Sequence, residues 1–347
     1  MLWKRAKWMR NKDNPRQSFT PALEKEGGGL ENAPQKKVDL LRKQFFPKPP
    51  EADLTDIQDY AYPSPVDIDR DFTEHEVRQA LRRTAPDKAS GPDKITNRAL
   101  QVAAELLVPA IRQLASGCVR LGHWPQHFRD SSTVVLRKPK KGDYTKPKAY
   151  RPIALLNTMG KIIESMVAER VSYLVERYGL LLDSHIGGRR MRSPEHALFL
   201  LTERVSTVWA AIYRGKRPIC SALFLDISGA YDNVVHRRLT HELRRRWLPP
   251  NLVRWISSFL ADRTTRTILP EYTSDRFHIN VEIPQGSPLY PILYLFYNAN
   301  LLENCAIRSL NSSTIGYVDD TCILVIGRDT TANCETLKRI YTEQCIP

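Results

Sequence analysis

Residues 316–327, GYVDDTCILVIG, constrain this chain more than any other stretch. Tyr317, Val318 and the run from Thr321 to Ile326 are β-formers that belong in a buried sheet. Between them sit two adjacent carboxylates, Asp319 and Asp320. The pattern predicts a hairpin of STIGYV and TCILVI with both acids at its bend, where a tight turn carries them to one rim of the sheet. Asp is also a common turn residue, so this motif taken alone slightly favours a solvated loop.

A second acid shifts that balance. In FLDISGAYDNV (224–234), Asp226 ends the strongly apolar segment PICSALFLDI (218–227), which predicts a buried strand. An acid buried there is costly unless it is paired or holds a metal ion. Three carboxylates on one rim repel one another and raise their pKa values. A divalent cation relieves that repulsion, and hard oxygen donors suit Mg²⁺. Two such ions about 3.5–4 Å apart form a clamp for in-line phosphoryl displacement. No HExxH and no Cys/His cluster offers a zinc site instead.

The rest of the chain reads as α+β, antiparallel strands packed on helices. Residues 1–70 resemble a connector, partly disordered, with GGG at 27–29, PKPP at 47–50 and little periodicity. Thr73 and Glu76 form a capping box that opens the helix EHEVRQALRRT. An amphipathic helix is expected over 97–120 and a short strand at TVVLRK (133–138). GKIIESMVAERVSYLVERYG reads as a helix stopped by Gly179. A basic helix from Val234 to Trp247 and a second helix over 251–260 come next. TTRTILP and HINVEIP pair as a hairpin, and an apolar helix, LYPILYLFYNANLLENCAI, follows the PQGSP turn.

Charge points to the partner. With 52 Lys and Arg against 38 Asp and Glu, the net charge is +14, which favours a polyanion, nucleic acid before membrane. Seven of those cations crowd residues 137–151 against a single Asp, a density that favours phosphate contact over a merely solvated surface. The six cysteines form no CxxC pair and read as free thiols in a reducing compartment. The N-terminal stretch MLWKRAKWMRNKDNPR lacks the apolar core of a signal peptide. The longest uncharged run, 283–302, carries Pro284, Pro288 and Pro291 and makes a poor bilayer span, so a soluble protein is expected.

FLDISGAYDNV, PQGSPLYPIL and YVDD, in that order, resemble the three palm motifs of reverse transcriptases. Upstream, DKASGPDKITNRAL, TVVLRKPKKGDYTKPKAYRPIALLNTMGKIIE and GGRRMRSPEHAL resemble the corresponding stretches of non-LTR (LINE-type) retrotransposon enzymes. The resemblance spans residues 70–345 and implies a right-hand polymerase fold. Fingers with fingers–palm helices would occupy 71–215, and a palm built on a small antiparallel sheet 216–347. The implied activity is RNA-directed DNA polymerisation, by two-metal nucleotidyl transfer to a primer 3′-hydroxyl. Asp226 and Asp319 would carry two Mg²⁺ ions, with Mn²⁺ as a substitute; the Ile227 carbonyl would help and Asp320 would give electrostatic support. Tyr231 matches the bulky residue that excludes ribonucleotides, although a core aromatic is the commoner fate of such a Tyr. Gln285 and Gly286 match the loop under the incoming nucleotide and template base, and Lys138 and Arg151 the residues gripping the triphosphate. Partners would be an RNA template, a DNA primer and deoxynucleoside triphosphates, with no membrane and with nuclear action. The arginines of the Val234–Trp247 helix serve equally as a template track or as an exposed face.

Two departures from the family stand out. Tyr290 occupies a position where relatives usually carry a small Ser, so it either overpacks the site, at a cost of about 1–3 kcal/mol, or points outward. The chain also stops at Pro347, before the primer grip and thumb that the resemblance implies, and carries no upstream endonuclease domain, which suggests a truncated element. Two other readings compete. One is a catalytically inactive remnant that binds nucleic acid through its basic surface. The other is a two-metal nuclease, which shares the acids but leaves Tyr231, Gln285 and Gly286 unexplained.

Overall fold

The structure is a computed structural model that describes residues 19–47, 52–69, 71–211, 218–227, 229–279 and 283–345. The basic stretch 1–16 and residues 280–282 of HINVEIP lie outside the described residues.

Part of the segment that reads as a connector carries regular structure. A hairpin of β1 (Leu23–Glu24) and β2 (Leu30–Glu31) turns through the GGG run. α1 (Pro34–Phe45) follows, with proline in its first turn, where a missing N–H costs nothing. Its Val38, Leu41 and Phe45 pack with Leu23 against Ala149, Tyr150 and Leu269. Lys37 is buried beside them, donating to the Thr20 carbonyl at 2.5 Å and pairing with Glu271 at 3.4 Å. Because α1 buries only these four positions, its stripe is too narrow to stand out as periodicity.

α2 (Glu74–Arg83) begins with the expected capping box. The Thr73 hydroxyl accepts from Glu76 N–H at 3.2 Å, and the Glu76 carboxylate accepts from Thr73 N–H at 2.8 Å. The single helix expected over 97–120 is two helices, α3 (Asn97–Val102) and α4 (Ala104–Leu121), with Ala103 between them at ψ 10°. The Gln101 amide ties α3 to the end of α2 through the Leu81 and Thr84 carbonyls, at 3.0 and 2.8 Å. α4 is then left to bury Val108, Ile111, Ala115 and Val119 in the core.

β3 (Asp130–Arg137) and β4 (Tyr150–Leu156) pair antiparallel, with Leu136 opposite Arg151. Asn157 caps α5 (Thr158–Tyr178), and Gly179 ends it in the left-handed conformation at φ 62°. α6 (Pro194–Ala210), β5 (Ile219–Asp226), α7 (His236–Arg245) and α8 (Pro250–Leu260) come next. β6 (Arg263–Ile268) and β7 (Phe277–Ile279) pair as expected, and β6 also runs parallel to β3. One sheet therefore has the order β4-β3-β6-β7. After α9 (Tyr290–Cys305), β8 (Ser312–Tyr317) and β9 (Asp320–Gly327) form the predicted acidic hairpin. β5 joins it in the order β5-β9-β8, and α10 (Thr330–Ile340) packs on β9 and β5.

The architecture is mixed helix and sheet, with small sheets, as the pattern implies. Helices α2, α4, α5, α7, α8 and α9 share one core, where Trp124 meets Trp255 edge to face at 5.0 Å. Burying each large apolar side chain there contributes roughly 1.5–3 kcal/mol. One strand departs from its reading. The sequence predicts β5 as buried, but it is the edge of its sheet, with Phe224 67% exposed. Only the face carrying Leu223 and Leu225 packs inward, with Ile323 and Leu337, while Phe224 lies on the other face.

Candidate active site

The turn between β8 and β9 sets the geometry. Tyr317 pairs with Asp320, so the loop is only Val318 and Asp319. Val318 has φ 60°, a conformation that costs a β-branched residue about 1–3 kcal/mol and that glycine normally fills. The IGGRR loop braces this strain from behind. A Cβ on Gly187 would lie 2.5 Å from the Val318 nitrogen and 2.8 Å from the Tyr317 carbonyl carbon. Ile186 N–H donates to the Gly316 carbonyl at 2.7 Å, and Gly316 N–H to the Ser184 carbonyl at 2.9 Å. Arg189 holds the loop in turn, through Glu176 at 2.7 Å and the Leu182 carbonyl at 2.8 Å. His185 is buried here against the Val318 main chain. Burial, reinforced by Arg189, Arg246 and Arg192, pushes its pKa down to about 3.

The same turn separates the adjacent acids. Asp319 lines a cleft of about 910 Å³, whereas Asp320, already in β9, lines an apolar groove of about 440 Å³ with Leu198, Phe224 and Ile315. Asp226 lies opposite Asp320 in the β5–β9 register and borders both spaces. One cleft thus gathers Asp226 with Asp319 but not Asp320, because successive residues at a strand end face opposite sides. Asp226 is exposed, so the cost of a buried acid falls on the half-buried Asp319 instead. Burial pushes the Asp319 carboxyl above its ordinary range, and the Asp320 and Asp226 carboxylates add to that.

Both charged neighbours that shift Asp319 are negative, so the cleft side of the turn is short of positive charge. Among the described residues, no group of three or more His, Cys, Asp or Glu side chains forms a ready metal cluster. Of the carboxylates that line the cleft, Asp226 and Asp319 lie together at the end of β5 and the β8–β9 turn, beside Ile227; Asp232, Glu24 and Glu26 line it as well. The Ile227 carbonyl accepts from Ala230 N–H at 3.3 Å and keeps a second lone pair. Hard oxygens around an uncompensated negative site fit a divalent cation such as Mg²⁺.

The opposite wall is basic. Lys138, just past β3, and Arg151, exposed on β4, line the cleft with Lys146 and Lys148. The Lys138 main chain is pinned by N–H donation to the Ala149 carbonyl at 2.8 Å and by the Tyr144 hydroxyl, which donates to its carbonyl at 2.9 Å. Lys25 and Lys43, from the N-terminal hairpin and α1, extend this wall.

Tyr231 lines the cleft between the two walls. Burial pushes its phenol up, and nearby Asp319 adds to the effect. Tyr290 neither overpacks the core nor points away. It is half-buried, lines the same cleft and lies flat on Tyr231.

Gln285 and Gly286 continue from β4, since Ala154 N–H donates to the Gln285 carbonyl at 2.8 Å. Gly286 has φ 130°, and a Cβ there would lie 2.5 Å from the Ala154 carbonyl oxygen, so only glycine fits. Gln285 itself lines the cleft and donates to Asp232 at 3.3 Å, while Gly286 backs onto β4. The next residue, Ser287, donates to the buried Glu164 carboxylate at 2.5 Å; burial pushes that carboxyl up.

Sequence reasoning missed Glu164, Asp232, His185 and Gly187 as supports of the site. Only Glu164 leaves a signal, as an acid on the apolar stripe of GKIIESMV. The basic helix also resolves. Arg238 pairs with Asp56 at 2.6 Å and Arg246 with Glu303 at 2.6 Å, while Arg245 reaches Glu303 at 3.4 Å. Arg237 and Arg244 remain exposed, the latter 3.6 Å over the Tyr62 ring.

Comparison with known proteins follows the same residues. The family profile described as "Reverse transcriptase (RNA-dependent DNA polymerase)" matches residues 138–344, more than half of the chain. The chain is 27% identical over 257 residues to the probable RNA-directed DNA polymerase from transposon X-element of Drosophila melanogaster. That match covers 74% of this chain and 28% of the relative. It is 24% identical over 335 residues to the RNA-directed DNA polymerase from mobile element jockey of the same species, covering 93% and 35%. To a Pol polyprotein from the type-1 retrotransposable element R2 of Popillia japonica it is 25% identical over 241 residues, covering 69% and 31%. The chain thus spans about a third of the length of these curated relatives, between 28% and 35%. A profile match that starts at the pinned Lys138 and runs beyond the acidic hairpin means that the chain belongs to the reverse transcriptase (RNA-dependent DNA polymerase) family.

Proposed function

We propose that this chain is the polymerase part of an RNA-directed DNA polymerase from a non-LTR retrotransposon, adding deoxynucleotides to a primer 3′-hydroxyl. One observation carries the reading: Asp226 and Asp319 share a cleft of about 910 Å³ with Lys138, Arg151, Tyr231 and Gln285, a space suited to a nucleotide. Residues 71–215 act as fingers and 216–347 as palm, with β6 and β7 lent by the palm segment to the fingers sheet.

Reverse transcriptases use divalent metal ions, and Asp226 and Asp319 would hold two of them, Mg²⁺ or Mn²⁺, beside the Ile227 carbonyl. Ions held there would supply Lewis acidity to the primer hydroxyl and charge balance for the triphosphate and leaving pyrophosphate. The residues of this chain do the rest. Asp320 adds negative potential at Asp319 from the far face of the turn. Arg151 offers a planar fork and Lys138 a point charge to the triphosphate oxygens. Tyr231 fills the space beside the sugar C2′, where a ribonucleotide hydroxyl would collide. The Gln285–Gly286 main chain, flat against β4, is the floor for the nucleotide and template base. An RNA template and DNA primer follow the basic wall through Lys146 and Lys148, and copying into chromosomes implies nuclear action.

Given poly(rA)–oligo(dT), dTTP and Mg²⁺, the chain is expected to extend the primer, and Asp319→Asn to lose that signal. Equal extension by variant and wild type overturns the assignment. If neither extends the primer while both still bind RNA, catalysis is overturned and the inactive, nucleic-acid-binding reading takes its place.

A further inference from the structure

Tyr231 lies in a turn after β5, not in a helix or strand. Its neighbours' main-chain bonds are local, Ala230 N–H to the Ile227 carbonyl at 3.3 Å and Asp232 N–H to the Gly229 carbonyl at 3.1 Å. A turn fixes the main chain and leaves the ring free to swing about χ1, so something else must orient it. Two rings of α9 do so. Tyr290 stacks face to face on Tyr231, with centroids 3.8 Å apart and planes 13° from parallel. Tyr294, one helical turn later on the same side, meets it at 4.5 Å and 40°. α9 is a firm base for both, because Ile292, Leu293, Leu295 and Phe296 are all buried behind them.

We propose that Tyr290 is a positioning residue for sugar selection: its ring clamps Tyr231 at one angle, so the nucleotide 2′ position meets a rigid wall. This rests on the polymerase reading above and adds to it a residue that touches Tyr231, not the reacting atoms. A small side chain at 290 would leave one face of Tyr231 open to the cleft. The ring would then tip away from a 2′-hydroxyl, and ribonucleotides would enter.

Equilibrium titration of the full chain with dATP and with ATP, in Mg²⁺, reads the discrimination directly. The ratio of the two affinities is unaffected by any loss of folded protein, since that loss is common to both ligands. Wild type is expected to prefer dATP. Tyr231→Val removes the preference, and Tyr290→Ser narrows it about tenfold, the worth of one aromatic pair. Tyr290→Phe removes the hydroxyl that hydrogen-bonds Tyr231 but keeps the stack, and is expected to hold the wild-type ratio. A wild-type ratio in Tyr290→Ser overturns the proposal, and so does a narrowed ratio in Tyr290→Phe, which would assign the effect to the hydroxyl. A wild-type chain indifferent to the sugar overturns both this proposal and the gate, while leaving Asp319-dependent primer extension standing. A chain that binds neither nucleotide overturns the polymerase reading as well.

Discussion

Val318 and His185 carry two local penalties side by side, and both serve the turn that holds Asp319. Val318 is strained at φ 60°, and His185 is buried against the Val318 main chain. The histidine gives this a measurable sign. Its folded pKa of about 3 lies below the ordinary 6.5, so the unfolded chain takes up a proton that the folded chain refuses. Stability is therefore full above pH 6.5 and falls as pH drops toward 3, by about 1.4 kcal/mol per unit. Between pH 7 and pH 5, urea unfolding of wild type is expected to lose about 2 kcal/mol more than that of His185→Leu. Parallel losses in the two chains would show that His185 does not titrate in this way. Residue by residue, the candidates singled out by their own chemistry, Asp226, Asp319, Tyr231, Gln285, Lys138 and Arg151, come to line one cleft. The site is illegible where a side chain acts through a partner remote in sequence. Glu164 meeting Ser287, and Asp232 meeting Gln285, are of that kind.

Between elements, the IGGRR loop approaches the β8–β9 turn closely. Gly187→Ala would place a methyl group 2.5 Å from the Val318 nitrogen, a clash with main chain that cannot swing aside. Displacing Asp319 by even an ångström costs about 100-fold in rate, so primer extension by Gly187→Ala is expected to fall by that order. Unchanged extension would mean that the loop does not position the turn. Capping and stop signals at this scale are local chemistry and read correctly, as at Thr73, Glu76 and Gly179. Two element-level readings differ from the structure for one reason, the placement of neighbours. β5 is apolar on both faces although only the face of Leu223 and Leu225 packs on the core, and an edge strand and a central strand share that composition. The break at Ala103 follows from Gln101 reaching a different helix, which no periodicity within 97–120 encodes.

Over the whole molecule, part of the positive excess gathers in one place: Lys25, Lys43, Lys138, Lys146, Lys148 and Arg151 all line one cleft, together with Glu24 and Glu26. Affinity for single-stranded RNA is expected to fall as a power of salt concentration. The joint change of Lys146→Ala and Lys148→Ala should reduce the log–log slope by about 0.7 for each phosphate that the two lysines neutralise. Identical slopes for the two chains would place the RNA elsewhere. The sequence by itself determined the hairpin, the order of the motifs and the mixed helix–sheet class, because each rests on residue types and short spacings. Only the tertiary structure decided which acids share a cleft, that Asp320 faces the other side, that Tyr290 lies on Tyr231, and that the N-terminal segment walls the site. Those outcomes depend on strand register and on packing between residues far apart in the chain, and local sequence carries no record of either.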